Sequence, residues 1–303
     1  MVLVDLPVSA GGKLRWWREF RRLTQLELGS MAEVSSKHIS FIETGRTTPS
    51  RDMILHLARH LDVPLRDCNA LLLAAGHAPQ FSELAWDDDQ FAPTRRLLGE
   101  VVAAHEPYPA IVVDRYWRLL TANRAGRILR EGVHPELLAP PINVLRVCLH
   151  PRGLAPRIVN LDEWVDHVIG GLARQHALSP DDTLRCLRNE MVDYARVAGF
   201  EPRTHLGSGR VAVPMHLRVP EGSVRLLVTI ATFGTALDVT LSELTIETFL
   251  PADAQTSEIL RSRADPTPQV IDEPLPGGDA AKHDLPPACT GTSCGTSCDL
   301  AST

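Results

Sequence analysis

Apolar residues recur at helical spacing through the first quarter of the chain, and the pattern predicts five short helices. Thr24 followed by Glu27 has the form of a capping box that begins the second helix. Ser35 is expected to cap the third helix, and Gly45 suits the left-handed position just after its end. Prolines precede the fourth and fifth helices. Together these signals predict one small all-α domain over residues 11–77.

After a linker at residues 78–92, the pattern mixes helical and strand periodicity. The predicted elements are a helix at 93–104, two strands within 108–123 around a turn at Asp114 and Arg115, helices at 124–130, 143–148, 162–175 (capped by Asp162) and 179–195, and strands at 211–219, 224–233 and 239–249. This order predicts an α+β domain with an antiparallel sheet over residues 93–255. A pocket between the sheet and its helices is the natural site for a ligand.

The C-terminal segment, residues 256–303, is rich in Pro, Asp and Gly and is expected to be disordered. It ends in a cluster of Cys289, Cys294 and Cys298 among Ser and Thr residues, with His283 nearby. Three interpretations stay open. The thiolates could form a metal or redox sensor, the segment could be a core peptide for thioether modification, or it could be an inert tail with reduced thiols. In the first two cases the function of the protein would lie in this tail, and the N-terminal domain would recruit the protein to DNA.

Residues 12–77 resemble the xenobiotic-response-element class of helix-turn-helix domain, the fold of the phage repressors. The resemblance is carried by Thr24-Gln25-x-Glu27-Leu28, by Ser35-x-x-x-Ile39, and by Ile42-Glu43-x-Gly45 followed by Pro49. It implies that the third helix enters the major groove of double-stranded DNA. It also implies a salt bridge between Arg18 and Glu43 that joins the first and third helices. Glu33 departs from the small residue that the family usually has in the turn.

By the same resemblance, the DNA-contacting residues are Gln25, Ser35, Ser36, Lys37, Ser40, Phe41, Arg46, Thr47 and Arg51. Lys37 is suited to guanine O6 and N7, and Phe41 to a thymine methyl group. Gln25 and the residues after the recognition helix are suited to phosphates. The alternative is a helical interaction module that never contacts DNA.

Residues 95–255 resemble the ligand-binding domain of MmyB-like transcription regulators, which has a PAS-like fold. The motifs are Pro109-Ala-Ile-Val-Val-Asp114, Leu120-Thr-Ala-Asn123, Asn143-Val-Leu-Arg146 with His150-Pro151, Asp162-x-Trp164, Ser179-Pro-Asp-Asp182 and Phe233-Gly-Thr-x-x-Asp238. The resemblance implies a pocket for fatty-acid-like or other apolar molecules. Candidate lining residues are Trp117, Asn123, Asn143, Arg146, Trp164 and His216, with Arg146 as partner for a carboxylate. Alternatively, the tryptophans are core residues and Arg146 forms a structural ion pair.

The net charge of −6 is unevenly distributed. Residues 1–80 carry 10 Lys and Arg against 8 Asp and Glu, a balance of +2, and the other residues carry 21 against 29, a balance of −8. Only the N-terminal domain is therefore compatible in charge with DNA. Because the net positive charge of this domain is small, we expect DNA binding to depend on a homodimer held together by the second domain.

Other classes of protein are disfavoured by the sequence. It has no Gly-rich phosphate loop, nucleophile elbow or His-Glu-x-x-His motif, so we expect neither enzymatic activity nor a cofactor. No apolar run is long enough to cross a bilayer and the first residues do not form a signal peptide, so we expect a cytoplasmic protein without membrane partners. Cys68, Cys148 and Cys186 lie singly in apolar surroundings and are expected to be buried thiols.

Overall fold

A computed structural model describes residues 8–203 and 213–264 of the chain. In its N-terminal part, the predicted five-helix domain is confirmed. The helices are α1 (Ala10–Phe20), α2 (Gln25–Met31), α3 (Ser36–Glu43), α4 (Arg51–His60) and α5 (Leu65–Ala74).

The predicted helix caps are present. The Thr24 hydroxyl accepts from the Glu27 amide at 3.1 Å, and the Glu27 carboxylate accepts from the Thr24 amide at 2.7 Å, which completes the capping box. The Ser35 hydroxyl accepts from the amide of His38 at 3.2 Å. Gly45 has a φ of +73°, the left-handed conformation expected after α3. Local side-chain chemistry therefore sets where α2 begins and where α3 begins and ends.

The core of this domain consists of the apolar faces of its helices. Its largest fully buried members include Leu28, Ile39, Ile42, Ile54, Leu57 and Leu71. Beside this core, the Arg18 guanidinium forms a bidentate ion pair with the Glu43 carboxylate at 2.7 and 2.9 Å. The pair confirms the predicted link between α1 and α3. Because it fastens α3 to the body of the domain, the outward face of α3 is held in a fixed orientation.

The second domain is α+β, as predicted. Its elements are α6 (Ala92–Ala103), β1 (Ala110–Val113), β2 (Leu119–Ala122), α7 (Val144–Leu149), α8 (Leu161–Leu178), α9 (Asp182–Val197), β3 (Met215–Val219), β4 (Gly222–Thr232), α10 (Val239–Ser242), β5 (Thr245–Pro251) and α11 (Ala254–Ser262). The strands form one antiparallel sheet in the order β2-β1-β5-β4-β3. The central strand, β5, is thus the one that comes last in sequence.

Apolar side chains cover both faces of the sheet. On one face Ile111 and Phe249 pack in a large core with residues of α7, α8 and α9. On the other face Val112 and Ile246 pack with α6 and Phe91 in a smaller core. The second layer arises because α6 presents an apolar stripe that includes Leu98 and Val102.

Three element boundaries differ from the sequence prediction. Residues 239–242 form α10 and not the start of a strand, because the Asp238 carboxylate caps them by accepting from the Leu241 amide at 3.0 Å. Asn160 is the N-cap of α8, so Asp162 lies inside the first turn. Helix α11 crosses the predicted domain boundary at residue 255, because Ile259 and Leu260 pack against the core.

Two other predicted segments differ in kind or fall outside the structure. Residues 124–129 form a 3-10 helix where an α-helix was predicted. Residues 211 and 212 of the predicted third strand lie outside the described residues, as does most of the C-terminal segment with its cysteines.

The segment between the domains is fixed to both of them. The Asn69 side chain, on α5, donates to the Phe81 carbonyl at 2.8 Å and accepts from the Phe81 amide at 3.1 Å. Phe81 packs against the N-terminal core, whereas Leu84 and Trp86 pack against the core beneath α6. Ser82 forms a bridge with Asp238 just before α10. The predicted linker is therefore an ordered connection along the domain boundary.

Candidate DNA interface and ligand cavity

The outward face of α3 is suited to reading DNA. Ile39 and Ile42 point into the core and are each 1% exposed, so the residues between them face outward. The Lys37 ammonium lies 5.7 Å from the centroid of the Phe41 ring, and the Arg46 guanidinium lies at the same distance from it. The structure thus brings an aromatic ring and two cations together at one surface. Such a surface suits base edges and phosphates.

The turn that positions α3 is short and tightly packed. Glu33 adopts a φ of +53°, in the left-handed region that residues other than glycine rarely adopt. Gly29, four residues earlier in α2, lies so close to the turn that an added Cβ would be 2.5 Å from the Val34 carbonyl oxygen. Glu33 stands where the family usually has a small residue, and it is the residue of this turn whose backbone conformation favours glycine.

Two of the predicted phosphate-contacting residues have partners within the protein. The Gln25 amide donates to the Glu43 carboxylate at 2.8 Å, which extends the Arg18–Glu43 pair to the start of α2. Its second N–H is available for a phosphate. The Arg51 guanidinium at the start of α4 donates to the Gln80 side chain, which follows α5. Both assignments stay predictions.

A cavity of about 590 Å³ lies between the sheet and helices α7 and α8. This volume is in the usual range for small-molecule sites. Its apolar lining includes Ile111, Ile142, Leu145, Val168, Met215 and Phe249. Trp117 and Trp164 also line it, and each uses its indole N–H internally. Trp117 donates to the Gln175 side chain at 2.9 Å and Trp164 to the Cys148 sulfur at 3.0 Å.

Sequence reasoning missed the acidic groups of the cavity wall. Glu247, on the central strand, is only 8% exposed and lines the cavity. Burial raises the pKa of its carboxyl from 4.5 to about 7. Glu243, also on the wall, accepts from Arg115 at 2.8 Å, and Arg115 in turn donates to Asp181 at 2.9 Å. An acidic residue between apolar residues of the last predicted strand, at 239–249, was the signal that could have drawn attention to Glu247.

The cavity reaches the N-terminal domain. Pro64, at the start of α5, is part of its wall. Two residues later, the Arg66 guanidinium donates twice to the Glu243 carboxylate, both times at 2.9 Å. Glu243 therefore joins a cation of the N-terminal helical domain to a cation of the cavity wall, Arg115.

Two stretches of the chain match known protein families. Residues 9–71 match the family described as a helix-turn-helix domain. Residues 94–262, more than half of the chain, match the family described as the MmyB-like transcription regulator ligand binding domain. The chain belongs to this MmyB-like family. None of the curated proteins compared with it matches.

The two matches together make the MmyB-like protein a DNA-binding transcription regulator with a ligand-binding domain. They cover the domain that carries the recognition helix and the domain that encloses the cavity. In the described part of the chain, no helix has both the length and the apolar character that a membrane span requires.

Of the six residues predicted to bind the ligand, the structure places Trp117 and Trp164 on the cavity wall and the other four away from its lining. The Asn123 side chain is buried and accepts from the Ala110 amide at 2.9 Å. The Asn143 side chain caps α7 by accepting from the Leu145 amide at 3.1 Å. Both asparagines therefore hold backbone groups, and our assignment of them to the pocket needs correction.

The two remaining candidates, Arg146 and His216, lie away from the cavity lining for other reasons. Arg146 forms a bidentate ion pair with Glu190 of α9, at 2.8 and 3.0 Å, which is the structural alternative that we considered. His216 alternates along β3 with the buried residues Met215 and Leu217, so its side chain points to the opposite face. Neither side chain is among those that line the cavity of the MmyB-like domain.

The cysteines of the regulator divide between two regions. Cys68, Cys148 and Cys186 form no disulfide among the described residues, and Cys68 is buried in the N-terminal core. Burial raises the pKa of the Cys148 thiol to about 12, so it stays protonated. Cys289, Cys294 and Cys298 lie outside the described residues.

Proposed function

We propose that this MmyB-like regulator binds a specific double-stranded DNA site and that a small apolar or fatty-acid-like molecule in its cavity controls that binding. The observation that carries the proposal is the shared wall. The cavity includes Pro64 of the DNA-reading domain, and its Glu243 is paired with Arg66 of that domain. A molecule in the cavity would therefore contact groups that also position the helix-turn-helix.

In this proposal the DNA is read by the outward face of α3. Lys37 donates to guanine in the major groove and Phe41 contacts a thymine methyl group, while Ser36 and Ser40 bond to bases or phosphates. Ser35, Arg46, Thr47 and Arg51 contact the backbone. Gln25, at the positive end of the α2 dipole, donates to a phosphate.

The ligand acts by favouring one arrangement of the two domains over another. This requires that it bind the two arrangements with different affinities. Arg115 and Glu243 are the groups best placed for this role, because both line the cavity and Glu243 also accepts from Arg66. A ligand that draws either group away weakens the hold of the second domain on α5.

The regulator acts as a homodimer in this proposal, because a single helix-turn-helix covers one half-site and twofold symmetric sites bind dimers. We expect the purified chain to have the mass of a dimer in solution, measured by light scattering. A monomeric mass both with and without DNA would contradict this part of the proposal.

The DNA-reading residues are tested by selection of binding sites from a random DNA library with the full chain. We expect an enriched, twofold symmetric site. Replacing Lys37 with alanine should change the preferred bases and cost about 1–3 kcal/mol of binding free energy at the preferred site. Replacing Gln25 with alanine should weaken binding to all sequences alike. Arg96→Ala, an exposed residue of α6, serves as the control and should change neither property.

Two outcomes count against the assignment of readers. If Lys37→Ala left the enriched sequence unchanged, α3 would not read bases through Lys37. If the full chain enriched no sequence at all, sequence-specific DNA binding by this regulator would be rejected.

A further inference from the structure

The sheet contributes several rows of side chains to the cavity wall, and one of these rows crosses three strands. Glu247 lies in the middle of this row, on β5, with Ile111 of β1 and Ile230 of β4 as its register partners. All three side chains line the cavity. A carboxyl group thus occupies the central position of a row whose other two members are aliphatic.

The Glu247 carboxyl has no partner among the described residues. No hydrogen bond or ion pair connects it to a side chain or backbone group of residues 8–203 or 213–264, although the residue is more than nine-tenths buried. Three arginines line the cavity, Arg115, Arg130 and Arg174. Arg115 pairs with Asp181 and Glu243, and within the described ranges neither Arg130 nor Arg174 forms a hydrogen bond or ion pair with Glu247. Burial is also the one cause that raises the pKa of Glu247, so no nearby cation offsets it.

An unpartnered carboxyl group in an apolar site is unfavourable. The sheet itself does not require it, because a β-branched aliphatic residue would suit this buried strand position better, as at its register partner Ile111. Because none of the described residues satisfies this group, a molecule that enters the cavity can supply its partner.

We propose that Glu247 accepts a hydrogen bond from the ligand of the regulator, which is therefore an apolar molecule that carries a hydroxyl or amine group at this position and no carboxylate there. The inference rests on the proposed function, because it names the ligand chemistry of the same cavity. Both protonation states of a carboxyl group can accept such a bond. A ligand carboxylate at the same place would instead face a like charge or have to share a proton.

The test measures the affinity of the full chain for three ten-carbon probes, 1-decanol, decylamine and decanoic acid, by calorimetry at pH 7.5. These probes share an apolar chain and differ only in the head group. We expect 1-decanol or decylamine to bind at least ten times more tightly than decanoic acid. This comparison needs no variant and therefore does not depend on the folding of one.

Variants of Glu247 test whether this residue causes the preference for 1-decanol or decylamine over decanoic acid. Glu247→Leu should reduce the affinity for the preferred probe at least tenfold and abolish the discrimination against decanoic acid. Glu247→Gln, which keeps an acceptor oxygen and loses the ionisable group, should retain 1-decanol and bind decanoic acid more tightly than the wild type does. Glu100→Gln is the matched control, because it makes the same change at an exposed glutamate of α6 that does not line the cavity. It should leave the ratio of the affinities unchanged.

Different results would contradict the role of Glu247 and the proposed ligand control. Tighter binding of decanoic acid by the wild type, or an unchanged preference in Glu247→Leu, would overturn the role of Glu247 while leaving a cavity that binds apolar chains. If none of the three probes bound to the wild type, both the ligand chemistry and the proposed ligand control would be contradicted.

Discussion

Glu33 is one of three non-glycine residues of the helix-turn-helix domain with a left-handed backbone, the others being Arg22 and Asp62, and it is the one in the turn before α3. Its φ of +53° places a side chain in the left-handed region, where glycine is favoured. We predict that Glu33→Gly raises the free energy of unfolding by about 0.5–1 kcal/mol, because relief of the strain exceeds the added entropy of the unfolded chain. Urea unfolding of the two proteins measures the difference.

The control for this substitution is Ser30→Gly, which introduces glycine at an exposed position inside α2. There the same residue should lower stability by up to about 1 kcal/mol, because the backbone is ordinary helix. Equal destabilisation by both glycines would show that Glu33 is not strained.

Glu247 makes the stability of the regulator depend on pH in an unusual direction. Its folded-state pKa of about 7 lies above the ordinary value of 4.5, so the folded protein keeps a proton that the unfolded chain releases. Stability is therefore greatest below pH 4.5 with respect to this group and declines as the pH rises to about 7.

We predict that Glu247→Gln removes this decline. Between pH 4.5 and pH 8, the variant should gain on the order of 3 kcal/mol of unfolding free energy relative to the wild type, with most of the gain above pH 5. Urea unfolding across this range, with Glu100→Gln as the control, provides the measurement. If the free energy of unfolding varied with pH in the same way in the wild type and in Glu247→Gln, the raised pKa of a buried Glu247 carboxyl would be contradicted.

At the scale of elements, the contact between α2 and the turn before α3 sets the recognition helix. Because a Cβ on Gly29 would lie 2.5 Å from the Val34 carbonyl oxygen, Gly29→Ala must push the two apart. We predict a loss of about 1–3 kcal/mol of stability and weaker DNA binding, even though alanine ordinarily favours a helix. Urea unfolding and DNA titration measure both effects. Ser30→Ala, an exposed neighbour, should change neither, and a stable, fully active Gly29→Ala would refute the close packing.

The helices of the N-terminal domain were predictable because their signals are local. Thr24 and Glu27 are three residues apart and complete one capping box, and Gly45 directly follows the helix that it ends. The helix at 239–242 was not predictable from its β-branched residues, because a single side chain, Asp238, overrides their preference for strands.

The cavity was harder to predict because its wall is assembled from distant parts of the chain. Trp117 and Trp164 were identified, since large aromatics in an α+β domain commonly lie between the layers. Arg146 was misassigned because its partner, Glu190, is 44 residues away and invisible to local pattern. Glu247 passed unnoticed because only the sheet order places it in the middle of a row that crosses three strands.

At the scale of the whole molecule, polar contacts connect the DNA-reading domain to the ligand-binding domain. Arg66 pairs with Glu243, the Asp67 carboxylate accepts from the Ser179 hydroxyl at 3.4 Å, and the Arg21 guanidinium approaches the Leu178 carbonyl at 3.4 Å. Partly exposed ion pairs contribute little stability individually. Such contacts suit a boundary that rearranges when a ligand binds.

The contact between Arg66 and Glu243 gives this coupling a specific test. We predict that Arg66→Ala still binds the cavity ligand but loses most of the change in DNA affinity that the ligand causes. Arg96→Ala removes an exposed arginine of α6 away from the boundary and should keep the full change. An undiminished ligand effect in Arg66→Ala would place the coupling elsewhere.

The most direct test of ligand-controlled DNA binding is the affinity of the full chain for its selected DNA site, measured by fluorescence anisotropy with the cavity empty and filled. The filling molecule is the ten-carbon probe that binds most tightly, at a concentration that calorimetry shows to be saturating. We predict that DNA affinity changes at least fivefold, the lower end of typical allosteric coupling. Equal affinity for the DNA site with the cavity empty and demonstrably filled would contradict the account.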